Sequence, residues 1–127
     1  VVNALIATAK QFSFQVSAYV IMPDHVHIVL TAEEEGADFE AMMKAFKQAT
    51  GFEWSQRRGR RLWQKGYWDR VLRNPEHTLS VCRYVVENPV RAKLVEHPTQ
   101  YALCGSTQYT MEEICSAIQI RGWWSAH

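Results

Sequence analysis

Two histidines two positions apart, His25 and His27, stand in the apolar run Ile21-Met22-Pro23-Asp24-His25-Val26-His27-Ile28-Val29-Leu30. On a β-strand residues i and i+2 project from one face, so Val26 is expected to enter the core while both imidazoles stand together on the other side. Placed that way they form a two-ligand grip on a metal ion. Two half-buried polar positions on a strand have the same spacing, and the pair alone does not choose between the two. Farther along, Tyr84 and Asn88 are four residues apart in a segment that reads as helix, which stacks a phenol and a carboxamide on one helical face. A tyrosine packing its ring on a sheet and an asparagine capping a helix end leave the same pattern.

These side chains are positioned by alternating helices and strands. Val2, Leu5, Ile6 and Ala9 predict a helix over 1–11, followed by strands over 12–22 and 25–32 joined tightly at Pro23-Asp24. Phe39, Met42, Met43 and Phe46 share one face of a helix over 38–50, with Gly51 as its stop. A short hairpin is expected next, with arms at 52–54 and 62–64 and Arg57-Arg58-Gly59-Arg60-Arg61 at its tip, and then a strand over 67–73. The tyrosine helix spans 75–87: Asn74 suits its N-cap, Pro75 its first position, and Pro89 ends it just after Asn88. Leu79, Cys82, Val85 and Val86 form its apolar stripe. Thr110-Met111-Glu112-Glu113 is a capping box opening a last helix to about residue 120.

A chain of 127 residues with 47% hydrophobic content is expected to form one soluble domain over 1–127. No stretch approaches a membrane span, and the opening residues lack a basic flank with a long apolar centre, so a cytoplasmic protein is expected. Cys82, Cys104 and Cys115 are too scattered for a zinc ribbon and odd in number for a disulfide framework; they read as small buried residues. The net charge of +1 hides an uneven distribution. Residues 44–73 hold nine basic side chains (Lys44, Lys47, Arg57, Arg58, Arg60, Arg61, Lys65, Arg70, Arg73) against Glu53 and Asp69, an excess of seven. Trp54, Trp63, Tyr67 and Trp68 interleave stacking surfaces with these charges, a pattern suited to a phosphate backbone or, more plainly, to a solvated hairpin with aromatic core residues.

Three segments in order, residues 21–30, residues 62–74 (Leu62-Trp63-Gln64-Lys65-Gly66-Tyr67-Trp68-Asp69-Arg70-Val71-Leu72-Arg73-Asn74) and residues 83–95 (Arg83-Tyr84-Val85-Val86-Glu87-Asn88-Pro89-Val90-Arg91-Ala92-Lys93-Leu94-Val95), resemble the HUH single-tyrosine transposases, and among them the REP-associated tyrosine transposases. The likeness covers residues 19–95. It implies an α+β fold of the ferredoxin-like HUH type, an antiparallel β-sheet with helices packed on it. It maps the metal ligands to His25, His27 and Asn88 and the nucleophile to Tyr84.

The implied activity is metal-dependent nicking and joining of single-stranded DNA near a hairpin or repeat element, through a 5′-phosphotyrosine. The implied cofactor is Mg²⁺ or Mn²⁺, although neutral imidazoles also suit Zn²⁺ or Ni²⁺. Arg57, Arg58, Arg60, Arg61, Lys65, Arg70, Arg73, Arg83, Arg91 and Lys93 are the candidate phosphate contacts, with Trp63, Tyr67 and Trp68 as stacking surfaces. Related enzymes work as monomers or as homodimers that exchange tyrosine helices, and both stay open.

Members of the family open with a strand before the first helix. This chain begins on the helix, so a sheet edge is expected to be missing. That departure keeps alive a non-catalytic hairpin-binding module; a metal-binding structural domain is disfavoured by the basic segment. His77 and His97 compete as ligands or bases but read as surface residues, His127 is terminal, Asp69 has no assigned partner, and residues 108–127, with Trp123-Trp124, match no motif.

Overall fold

A computed structural model describes residues 2–23, 26–58 and 75–117, with side chains assigned outside 51–58 and 75–77. The elements are α1 (Val2–Gln11), β1 (Phe14–Ile21), β2 (Val26–Ala32), α2 (Phe39–Arg58), α3 (Pro75–Val86), α4 (Asn88–Arg91), a 3₁₀ turn (Pro98–Gln100), β3 (Cys104–Gly105) and α5 (Met111–Cys115). The three strands form one antiparallel sheet in the order β2-β1-β3, so the fold is α+β.

A β-bulge at Ser17 organises the whole sheet. Opposite β2 the register shifts between Val16 and Ala18, and one extra residue reverses which side chains face which way. Phe14 and Val16 therefore join Leu5 and Ala9 of α1 and Met42, Met43 and Phe46 of α2 in one core cluster. Ala18, Val20 and Met22 point to the opposite face, where Val81, Cys82, Val85 and Val86 of α3 and Ile114 of α5 cover them together with Val29. Ser17 itself is fully buried, its hydroxyl satisfied by Thr31 Oγ1 and by Gln108 Oε1 at 2.6 Å.

The second edge of β1 is covered from far along the chain. Beyond the β3 pairs, Ile21 N donates to Leu103 O at 2.9 Å and Thr107 N to Val16 O at 2.8 Å. Gly105 suits this approach, because a Cβ there would lie 2.8 Å from Tyr19 Oη. Two residues of strand are too short to show a period, which is why β3 escapes the sequence pattern.

Four expectations need correction. Gly51 does not stop α2, which continues to Arg58, so residues 52–54 are helical and not a hairpin arm. An interior glycine costs only about 1 kcal/mol, and a helix already nucleated propagates through it into residues such as Glu53, Gln56, Arg57 and Arg58 that favour helix. Pro89 does not end helical structure: α3 stops at Val86 and, after Glu87, Pro89 sits in the first turn of α4, a position where that helix needs no N–H from it. The Thr110 capping box is present, Thr110 N donating to Glu113 Oε1 and Glu113 N to Thr110 Oγ1, both at 3.0 Å. Its helix nevertheless ends at Cys115, and just beyond it Arg83 Nη1 of α3 donates to the carbonyl of Ala117. Finally, Val26 and His27 do alternate across the sheet, but the histidine side is not an open face, because helices cover both sides. The expected strand over 67–73, the loop residue Asp24 and the end of the chain from 118 lie outside the described residues.

Candidate active site

His27 stands on the α3 face of the sheet. Its partner across the ladder is Val20, and directly opposed residues share a face; Val29, two residues on, belongs to the same cluster beneath α3. The imidazole is half-buried. His25 lies outside the described residues. Among the described residues no three histidine, cysteine or acidic side chains gather to hold an ion.

The tyrosine helix meets that face. α3 packs on β1 and on β2, and Tyr84 borders the cluster that contains Val20 and Val29, half-buried. Neither Tyr84 nor Asn88 is turned to bulk solvent. Pro89 has no N–H to offer the carbonyl of Val85, four residues earlier, and the Asn88 side chain replaces it: Nδ2 donates to Val85 O at 2.8 Å. Only the amide nitrogen can donate to a carbonyl, so this bond fixes the carboxamide with Oδ1 as its acceptor end. An amide oxygen is a donor that Mg²⁺ and Mn²⁺ accept, and an imidazole suits Zn²⁺ or Ni²⁺ as well.

Arg91 completes the arrangement. Its Nη2 donates to Tyr84 O at 2.7 Å and its guanidinium carbon lies 4.0 Å from the centroid of the Tyr84 ring. α4 ends in a Schellman motif, Leu94 N donating to Pro89 O and Lys93 N to Val90 O, with Lys93 at the left-handed position (φ 61°) that glycine favours. Sequence reasoning assigned Arg91 to phosphate and missed its contact with the tyrosine. Residues 84, 88 and 91 have i, i+4, i+7 spacing, but the break at Glu87 means that no single continuous helix face places this contact.

The other candidates distribute as follows. Arg83 pairs with Glu87 at 3.3 Å besides capping Ala117, so it ties α5 to α3. Lys93 is exposed. Arg57 and Arg58 occupy the last turn of α2, and Arg60, Arg61, Trp63, Lys65, Tyr67, Trp68, Arg70 and Arg73 lie outside the described residues. His97 caps the 3₁₀ turn, its Nδ1 accepting from Thr99 N at 3.3 Å. His77 falls in the first turn of α3, and His127 lies outside.

Tyr101, a rival phenol, donates to Ile21 O at 2.6 Å, and burial followed by the nearby Cys104 pushes its ionisation upward; both disfavour it as a nucleophile. The cysteines are free thiols, with Cys82 pushed up to about 12 by burial. No helix among the described residues is long and apolar enough to cross a membrane.

Comparison with known proteins gives a consistent set of relatives. The family model described as "Transposase IS200 like" matches residues 1–88. The chain is 27% identical over 93 residues to the REP-associated tyrosine transposase of Escherichia coli (strain K12), covering 70% of this chain and 52% of that protein. It is 22% identical over 100 residues to the putative REP-associated tyrosine transposase of Haemophilus influenzae, covering 57% of that protein. The chain thus spans about half the length of the curated relatives it matches. A solved structure of a REP-associated tyrosine transposase bound to a REP hairpin superposes with a TM-score of 0.66 at 23% identity, over 80% of this chain and 60% of that one, a likeness of fold.

Proposed function

The chain belongs to the IS200-like transposase family, and from that premise we propose that it cleaves and rejoins single-stranded DNA at hairpin-associated sites, with Tyr84 as nucleophile and a divalent cation as cofactor. The observation that carries the reading is the packing of the Tyr84 helix on the sheet face that bears His27.

In this reading His25, His27 and Asn88 Oδ1 hold the cation, which when bound polarises the scissile phosphate and offsets charge developing on it. Tyr84 Oη attacks phosphorus as its proton passes to solvent; the bond to the 3′ oxygen breaks, and that oxygen takes a proton from solvent and leaves as a 3′-hydroxyl. The 5′ end stays on Tyr84 as a phosphodiester, and attack by a 3′-hydroxyl reverses the step without ATP. Burial of the tyrosine's ring against the α3 cluster limits the poses of its hydroxyl, and restricted poses are how positioning accelerates such a step. The basic residues at the end of α2 and beyond it hold the strand through its phosphates. A hairpin partner is supported by the hairpin-bound neighbour of the same fold.

Incubation with a panel of hairpin-bearing single strands and Mn²⁺ or Mg²⁺ should give a covalent protein–DNA adduct that survives denaturing electrophoresis. A non-catalytic hairpin-binding module is the second reading. Tight hairpin binding with no adduct on any strand would establish that reading instead.

A further inference from the structure

Arg91 grips Tyr84 at two points, and both depend on how the chain leaves α3. The break at Glu87 and the short helix α4 bring the side chain of Arg91 back along the face from which Tyr84 projects. Asn88 secures the entry of α4 through Val85 O, and the Schellman motif secures its exit. With both ends of α4 held, the guanidinium reaches Tyr84 O at 2.7 Å and covers the ring at 4.0 Å. The ring also borders the core cluster of α3 and the sheet.

Resting on the function proposed above, we propose that Arg91 is the positioning residue of Tyr84, fixing the ring so that its hydroxyl keeps one aim. A guanidinium suits the task because its planar face stacks on an aromatic ring while an edge N–H donates to a carbonyl; a lysine ammonium, a point charge on a flexible stem, does not do both. This differs from the phosphate contact that an exposed arginine beside a DNA-cleaving tyrosine first suggests. A phosphate contact needs mainly the positive charge, whereas positioning needs the planar fork.

Arg91→Lys and Arg91→Gln in the full chain separate the two roles. Three quantities are read: the single-turnover rate of adduct formation at saturating hairpin strand with Mn²⁺, the strand's Kd and its salt slope, and the ¹³C ring resonances of Tyr84, identified by their loss in Tyr84→Phe. Both variants should slow adduct formation roughly tenfold to a hundredfold, the scale on which small misplacements act, and should move the Tyr84 resonances while Kd and salt slope stay at wild-type values. Wild-type rate in Arg91→Lys overturns the proposal, as do unmoved ring resonances. So does a weaker Kd with a salt slope smaller by about one, which would make Arg91 a phosphate contact. A wild-type chain that forms no adduct with any strand removes the transferase reading and the positioning role together, whereas a reactive wild type matched by Arg91→Lys removes the positioning role alone.

Discussion

Asn88→Asp separates the two ends of one side chain. Asparagine donates from Nδ2 to Val85 O, the carbonyl that Pro89 cannot serve, and keeps Oδ1 as the proposed ligand. Aspartate keeps a ligand oxygen but at neutral pH has no proton to donate, so the carbonyl of buried Val85 faces a carboxylate. A hydrogen bond is worth about 1 kcal/mol net, and a buried acceptor left unpaired costs about 1–3 kcal/mol. Asn88 is half-buried, which places the loss at about 1–2 kcal/mol, or roughly 4–8 °C of melting temperature for a domain of this size.

The pH dependence has a definite sign. The new carboxyl sits beside a carbonyl, so its folded pKa rises above the ordinary carboxylate value of about 4; protonated it donates again, and the deficit is absent below about pH 4 and opens as the pH rises. A carboxylate binds a hard dication better than an amide does, so Mn²⁺ should return part of the lost melting temperature at pH 7. Thermal unfolding followed by circular dichroism at pH 4 and pH 7, with and without Mn²⁺, tests both halves. A variant that melts with the wild type at pH 7 without metal would refute the role given to the Val85 bond. Loss without recovery in Mn²⁺ would refute the role of residue 88 as a ligand.

Other substitutions should fail in distinguishable ways. Tyr84→Phe removes one hydroxyl and should abolish the adduct while sparing Mn²⁺ affinity and DNA binding, whereas His25→Ala or His27→Ala should lose metal and cleavage together; calorimetric Mn²⁺ titration beside the adduct assay reads the difference. Replacing Arg57, Arg58, Arg60 and Arg61 by alanine should weaken strand binding and flatten its salt slope by up to about three, read by fluorescence anisotropy across a salt series. Unchanged affinity and slope would put the DNA path elsewhere. Cys82, pushed up to about 12 by burial, stays a neutral thiol in the folded chain while its unfolded counterpart ionises near 9.0, so stability should fall as pH climbs from about 9 towards 12 and owe nothing to this group at pH 7. Urea midpoints for wild type and Cys82→Ala across that range check it, the variant showing the shallower decline.

The local punctuation of this fold was plain in the sequence, and its long-range choices were not. The Thr110 capping box, the histidine strand and the tyrosine helix follow from residue types and short spacings, which local geometry obeys directly. Gly51 misled because a glycine's cost is small against the gain from continuing a helix already packed through Met42, Met43 and Phe46. The bulge at Ser17 hid the two-faced character of β1: Phe14, Val16, Ala18 and Val20 look like one alternating face until an unpaired residue divides them between two cores. Tyr84 and Asn88 were legible as a pair, but Arg91 acquires its contacts from the turn at Glu87, and helix periodicity alone does not announce a turn that resumes as a helix.

The seam that closes β1 from far downstream also sets the order in which this protein can be made. β1 and β2 are neighbours in the chain and can pair as soon as both leave the ribosome, but Val16 waits for Thr107, 91 residues later, to fill its other side. At a synthesis rate of about 5–20 residues per second the central strand stands with one unpaired flank for roughly 5–18 seconds. An open row of backbone donors and acceptors on an apolar strand is a template for another copy of itself, and crowded nascent chains on one message present many such copies. Slower translation of residues 33–103 lengthens that exposure without altering the finished molecule, so the yield of soluble protein depends on the pace of the ribosome as well as on the stability of the fold.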